Sequence, residues 1–242
     1  MSEREKILGR IREALKVEAH VPGAHGGGAP ASGPARPTNG HQRAGSETGA
    51  PQSTARTWLP KVGDRFDEQL ALFAKNAAEL KADFQLFKSA DEARQAIVIL
   101  RDKEKWQSVA GHSGELTNAI CSALNLPLLR TDRAYDVHAL EACDAGISEC
   151  DALIAQTGTV LVTNRSAGGR ALSVLPPHHV VLARREQLVA DLPAAFELLQ
   201  QKYAANYPSM ISFITGPSRT GDIERILVLG AHGPKQLTIL CF

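Results

Sequence analysis

The stretch Ile214 to Pro234, ITGPSRTGDIERILVLGAHGP, sets hydroxyls and a guanidinium between glycines at the end of an apolar run. That is the chemistry of an anion pocket. Gly216 and Pro217 shape a tight turn, Ser218 and Thr220 offer hydroxyl donors, Arg219 offers a planar fork of N–H groups, and Asp222 suits a cap for the segment that follows. A carboxylate or a phosphate fits such a site. An ordinary strand-to-helix turn, whose Ser, Thr and Asp satisfy only their own backbone, uses the same residue types, and spacing alone does not separate the two readings. His232, inside Gly230-Ala231-His232-Gly233-Pro234, lies between glycines that let its ring approach backbone or ligand closely.

A second Gly/Thr cluster, Thr157-Gly158-Thr159, precedes a run of valines and leucines. In extended backbone Thr157 and Thr159 share a face and can bond one ligand group together, although threonines at a strand entry are also chosen for β-propensity. The loop Asn164 to Arg170, NRSAGGR, places a glycine pair between Arg165 and Arg170. It can close over a ligand with either arginine as a contact, or be a solvated hairpin loop. His178 and His179 are adjacent in an extended segment, so they point to opposite faces and cannot share a metal. His179 is kept as a ligand contact, and His178 reads as a strand-entry residue. The sequence has no Ser-His-Asp order, nucleophile elbow, P-loop, GxGxxG or HExxH pattern, which disfavours the corresponding chemistries and leaves the catalytic residues unassigned.

These residues need elements to position them. Phe66, Leu70, Phe73, Ala77 and Leu80 fall on one helical face, followed by an extended Phe84 to Phe87, a helix from Ser89 to about Asp102, an extended Trp106 to Ala110 and a helix from Glu115 to about Leu124. The later half predicts strands over Gly158–Thr163, Val180–Ala183, Met210–Thr215, Ile226–Leu229 and Leu237–Phe242, and one helix from about Glu186 to Tyr203. This alternation predicts an α/β fold with a mixed or parallel sheet and flanking helices, in which ligands gather beyond the carboxyl ends of strands. Ahead of it, residues 2 to 16 predict an amphipathic helix, with Ser2 and Glu5 as a capping box. Residues 17 to 57 are dense in Gly, Pro, Ala and Ser, which predicts a flexible linker with incidental histidines at 20, 25 and 41. The folded domain is expected over 58 to 242.

Lys plus Arg number 27 against 26 Asp plus Glu, and the charges are interspersed, so no basic footprint favours nucleic acid or an anionic membrane. No apolar run approaches the roughly 18 residues that span a bilayer, and a cytoplasmic location is expected. Cys121, Cys143, Cys150 and Cys241 show no CxxC or paired Cys/His spacing, so no metal or iron–sulfur site is expected.

Taken together, GISECDALIAQTGTVLVT, LPPHHVVLARREQLV and ITGPSRTGDIERILVLGAHGP resemble the LUD-domain family, and the GPS-x-x-x-DIE-x-x-LV-x-G-x-HGP signature is long and ordered. The resemblance covers the chain from about Phe66 to the end, together with the N-terminal helix. It implies a Rossmann-like domain similar to the sugar-phosphate isomerase and CoA-transferase superfamily. It also implies a role beside two iron–sulfur partner subunits in oxidising L-lactate to pyruvate. The clusters would then belong to the partners, and this chain would carry no redox cofactor of its own. Its anion site would comprise Thr157, Gly158, Thr159, Gly216, Ser218, Arg219, Thr220 and His232, with Arg219 pairing with the anion. Gln156 stands where the family's A-[DE]-TGT pattern carries an acid, and the stretch after the first helix is longer than the family needs. Two other readings stand beside this one. A stand-alone sugar-phosphate isomerase or CoA-transferase-like enzyme would need a nucleophile or base such as Glu149 or Asp222, and a scaffold or regulatory module would need neither.

Overall fold

The computed structural model describes residues 61–220, 228–230 and 232–242, which all fall in one compact unit. The expected N-terminal helix and linker, His20, His25, His41 and Asp222 lie outside the described residues.

Six strands form a wholly parallel sheet: β1 (Asp83–Leu86), β2 (Val109–Gly111), β3 (Leu128–Arg130), β4 (Ala145–Glu149), β7 (His178–Ala183) and β12 (Gln236–Cys241), in the order β1-β12-β7-β4-β2-β3. A smaller four-stranded sheet has the order β8-β5-β6-β9, built from β5 (Ala152–Ile154), β6 (Thr159–Thr163), β8 (Leu188–Val189) and β9 (Ile211–Ile214). A two-residue pair, β10 (Arg219–Thr220) with β11 (Val228–Leu229), closes the signature segment.

The alternation of side chains along the parallel strands divides the core in two. Val180, Leu182 and Leu240 face Ile97 of helix α2 (Ala90–Glu104) and Leu116 and Ile120 of α3 (Glu115–Cys121). Val181, Ala183, Leu237, Ile239 and Cys241 face the other way, toward Phe73 and Ala77 of α1 (Phe66–Glu79) and toward Val160 and Val162 of the small sheet. Helix α5 (Leu192–Tyr203) covers the far side of that small sheet through Ala195, Leu199 and Tyr203. A short helix α4 (Val137–Glu141) sits between β3 and β4.

The α/β architecture and most predicted elements appear within a few residues of their expected bounds. Along α1 the buried positions are Phe73 and Ala77, while Phe66 in the first turn stays 41% exposed. The helix expected from Glu186 to Tyr203 is broken. A 3-10 turn (Arg185–Gln187) and strand β8 precede α5, because Asp191 is extended at φ −146° and its side chain accepts the Ala194 N–H at 2.9 Å. That bond and Pro193 in the first turn start the helix six residues later than periodicity alone places it.

Candidate functional site

The GPSR turn does not stand at the carboxyl edge of the parallel sheet. It leaves the carboxyl end of β9 in the small sheet and lies against the amino ends of β7 and β12, where His179 and Leu237 share its cavity. The expectation that ligands gather at strand carboxyl ends therefore does not describe this cavity, because the strand feeding the turn belongs to a different sheet. Backbone bonds lace the two halves of the signature together: Ser218 N–H donates to Pro234 O at 2.9 Å, and Gly230 N–H donates to Ser218 O at 2.9 Å. Gly216 has φ +82°, and a Cβ there would sit 2.6 Å from Leu80 O, so both the backbone and the space call for glycine.

The cavity between these segments is about 210 Å³. Ser173, Ser212, Thr215 and Ser218 line it together with His179, His232 and the apolar Val174, Ile214, Pro217 and Leu237. His179 is 1% exposed, and its Nε2 lies 2.8 Å from Ser148 Oγ on the neighbouring strand β4. Burial pushes the His179 pKa down to about 3, with His178 adding to the shift, so the ring is neutral near neutral pH. Its Nδ1 is buried with no partner among the described residues.

His178 faces the opposite side of the sheet, as adjacent strand residues must. Its Nε2 pairs with Thr238 Oγ1 at 2.9 Å, its ring meets Trp106 edge-on at 5.3 Å, and burial lowers its pKa to about 4. A second cavity of about 540 Å³ opens on that side, bounded by His178, Thr238 and Leu100 together with Lys81, Lys103, Arg219 and Lys235. The GPSR turn therefore serves both faces: Ser218 lines the first cavity, Arg219 lines the second, and Pro217 borders both.

The structure thus brings Gly216, Ser218, His179 and His232 around one cavity and puts Arg219 on the other. Of Thr220 only the backbone pairing with Val228 is described. The Thr157 cluster behaves differently. Residues 155–158 form the tight turn between β5 and β6, with Gly158 at φ +62°, so Thr157 and Thr159 do not lie along one extended face. This overturns the shared-face expectation, since Thr157 lies within the reversing turn and only Thr159 is in the strand. Asn76 on α1 clamps the turn, donating through Nδ2 to Ala155 O at 3.0 Å and Gln156 O at 2.9 Å. Thr159 Oγ1 lies 2.8 Å from Thr215 Oγ1, directly behind the wall of the first cavity.

The loop arginines divide as well. Arg165 stacks over the Tyr203 ring at 5.2 Å and donates to Asn206 O at 2.9 Å, while Arg170 is exposed. Beneath the loop, the buried Asp151 receives Ser166 Oγ, Lys202 Nζ and Tyr203 OH, each at 2.6 Å. Desolvation alone would raise the Asp151 pKa, but these donors outweigh it and hold it below the usual carboxylate range. At the carboxyl edge of the sheet, Glu149 accepts Thr117 N–H at 3.1 Å, and Asp132 accepts Ser113 Oγ–H at 2.7 Å. His112, beside them, has its pKa lowered by burial against the opposing pull of Glu149 and Asp132.

Sequence reasoning missed Ser148, Ser173, Ser212 and Thr215 on one face and Lys81, Lys103 and Lys235 on the other. Lys235 directly follows the HGP motif and Thr215 directly precedes GPS, so adjacency was the available signal. The others arrive by tertiary packing.

The LUD domain family model matches residues 70–241, and the chain belongs to that family. Lactate utilization protein C 1 of Bacillus mycoides is 36% identical over 105 residues, covering 43% of this chain and 45% of that protein. The corresponding protein of Anoxybacillus flavithermus is also 36% identical over 105 residues, so the match spans less than half the length of these two relatives, 45% and 46%. Lactate utilization protein C of Deinococcus radiodurans is 28% identical over 193 residues, covering 79% of this chain and 82% of that protein. The crystal structure of a DUF162 family protein from Deinococcus radiodurans superposes with a TM-score of 0.57 at 21% identity, covering 73% of this chain and 98% of that one, which establishes the common fold. Among the described residues no helix is long and apolar enough to cross a membrane.

Proposed function

We propose that this chain is a subunit of an L-lactate utilization system and binds a small carboxylate, of the size of lactate or pyruvate, in the cavity beside Ser218 and His179. One observation carries this reading: both halves of the family signature, GPS and HGP, border one small cavity of about 210 Å³ that combines an apolar wall with Ser173, Ser212, Thr215 and Ser218. A water molecule's share of liquid volume is about 30 Å³, so the space suits a three-carbon acid. A hydroxyl such as that of Ser218 can donate a hydrogen bond to a carboxylate oxygen. The neutral His179, which borders the cavity, suits the adjacent hydroxyl or keto oxygen better than a second anion.

In this proposal the two electrons removed from lactate pass to iron–sulfur partner subunits. The cysteines support that division, because all four are buried and they are spread over three separate core clusters. Burial raises the thiol pKa of each, which opposes the thiolate form a cluster needs. Cys143 and Cys150, close in sequence, belong to different clusters.

Calorimetric titration of the full chain with L-lactate and pyruvate tests the binding step. Saturable binding that Ser218→Ala weakens about tenfold, the worth of one hydrogen bond to a charged group, is expected. Heats no larger than dilution for both acids at millimolar concentration would overturn the carboxylate assignment. Membership of the system is tested by lactate-dependent dye reduction with the co-purifying iron–sulfur subunits, which should fall when this chain is omitted.

A further inference from the structure

We propose that the second cavity, on the opposite face of the same sheet edge, is a separate site for a ligand carrying phosphoryl groups. Among the described residues four cationic side chains line it, Lys81, Lys103, Arg219 and Lys235, against two acids, Asp83 and Glu104, an excess of two positive charges in that lining. They come from four segments distant in sequence: the turn after α1, the end of α2, the GPSR turn and the HGPK turn. In a chain whose overall charges are balanced at 27 to 26, this local excess is not inherited from composition.

The backbone at Lys81 and a packing contact at Lys235 set where these two side chains leave the chain. Lys81 adopts φ +67°, an uncommon conformation for a residue with a Cβ, which turns the chain from α1 into β1 at the cavity rim. The Lys235 stem lies across Gly230, where any Cβ would collide with it, and Lys235 N–H donates to Pro177 O at 2.8 Å. Of the four, only Lys103 has an ion-pair partner among the described residues, Glu104 at 3.7 Å. Arg219 supplies a planar fork and the lysines supply point charges, the combination that recognises phosphoryl oxygens. A volume of about 540 Å³, more than twice the 210 Å³ on the other face, suits a phosphorylated molecule larger than a three-carbon acid. His178 and Thr238 already bond each other, so they form a neutral floor and the rim cations carry recognition.

The test uses pyrophosphate as the probe on the full chain at low ionic strength, read by thermal unfolding and calorimetry. At ten times its dissociation constant, pyrophosphate should raise the Tm by about 3–6 °C for a domain of this size. The double variant Lys81→Gln/Lys235→Gln should lose that shift while unfolding at the wild-type temperature without ligand, both side chains being exposed. Ser218→Ala should keep the shift, which distinguishes this site from the carboxylate cavity. No shift at millimolar pyrophosphate, or a full shift in the double variant, would overturn the proposal. Loss of the shift in Ser218→Ala with retention in the double variant would place the anion in the other cavity and overturn it equally.

Discussion

Two glycine-centred turns of this molecule carry almost the same residue types, Gln156-Thr157-Gly158-Thr159 and Thr215-Gly216-Pro217-Ser218, yet they end in opposite circumstances. The first is pressed against α1. A Cβ on Gly158 would lie 2.6 Å from Ala77 N, and Asn76 bonds the turn's carbonyls. The second borders a cavity on each side of the sheet. Hydroxyls and glycines thus mark positions where the backbone needs freedom and local hydrogen bonds. Whether such a turn is a clamp or a site depends on what packs against it.

Histidine protonation on the cavity side should move stability most. His178 and His179 have folded pKa values lowered to about 4 and about 3, against about 6.5 when unfolded. The unfolded chain therefore binds more protons in between, so stability is full above about pH 6.5 and declines as pH falls toward the folded values. Moving from about pH 7 to about pH 5 should cost roughly 2 kcal/mol per histidine, about 4 together. Denaturant midpoints at the two pH values check this, and His179→Gln should remove about half of the difference. A midpoint independent of pH across that window would show that the rings are not held neutral.

On the clamp side, Gly158→Ala combines a strained positive φ with a backbone collision and should cost about 3 kcal/mol, lowering the Tm by about 6–12 °C. Asn76→Ala removes two bonds to carbonyl oxygens of the same turn and should cost about 2 kcal/mol. If either variant instead lost ligand affinity at unchanged stability, the roles of the two turns would have to be exchanged. The smallest effect on stability is expected for Ser218→Ala, within about 0.5 kcal/mol.

Much of the fold was legible because its signals are local. The periodicity of Phe73 and Ala77, the cap at Ser89 and the valine-rich run of β6 each follow from spacing along the chain. The late start of α5 was missed because the apolar residues of β8, Leu188 and Val189, continue the helical count until Asp191 interrupts it. The site was legible in part. GPS and HGP were both visible, and so was the divergence of His178 and His179, since alternation in a strand follows from local geometry. Several features were not visible. Arg219 lies apart from Ser218, Thr157 belongs to a clamped turn, and Lys81 meets Lys235 across 154 positions of sequence. Each depends on the pairing of β1 with β12, or of β6 with β9, which spacing along the chain does not encode.

In the proposed scheme one turn serves two separate cavities, with Ser218 for a carboxylate and Arg219 for phosphoryl groups. Its most direct test is a crossed calorimetric titration of Ser218→Ala and Arg219→Gln with pyruvate and with pyrophosphate. The account predicts that Ser218→Ala weakens pyruvate about tenfold and leaves pyrophosphate unchanged, while Arg219→Gln does the reverse. If both substitutions weakened the same anion and spared the other, the two cavities would be one site, and the account would be contradicted.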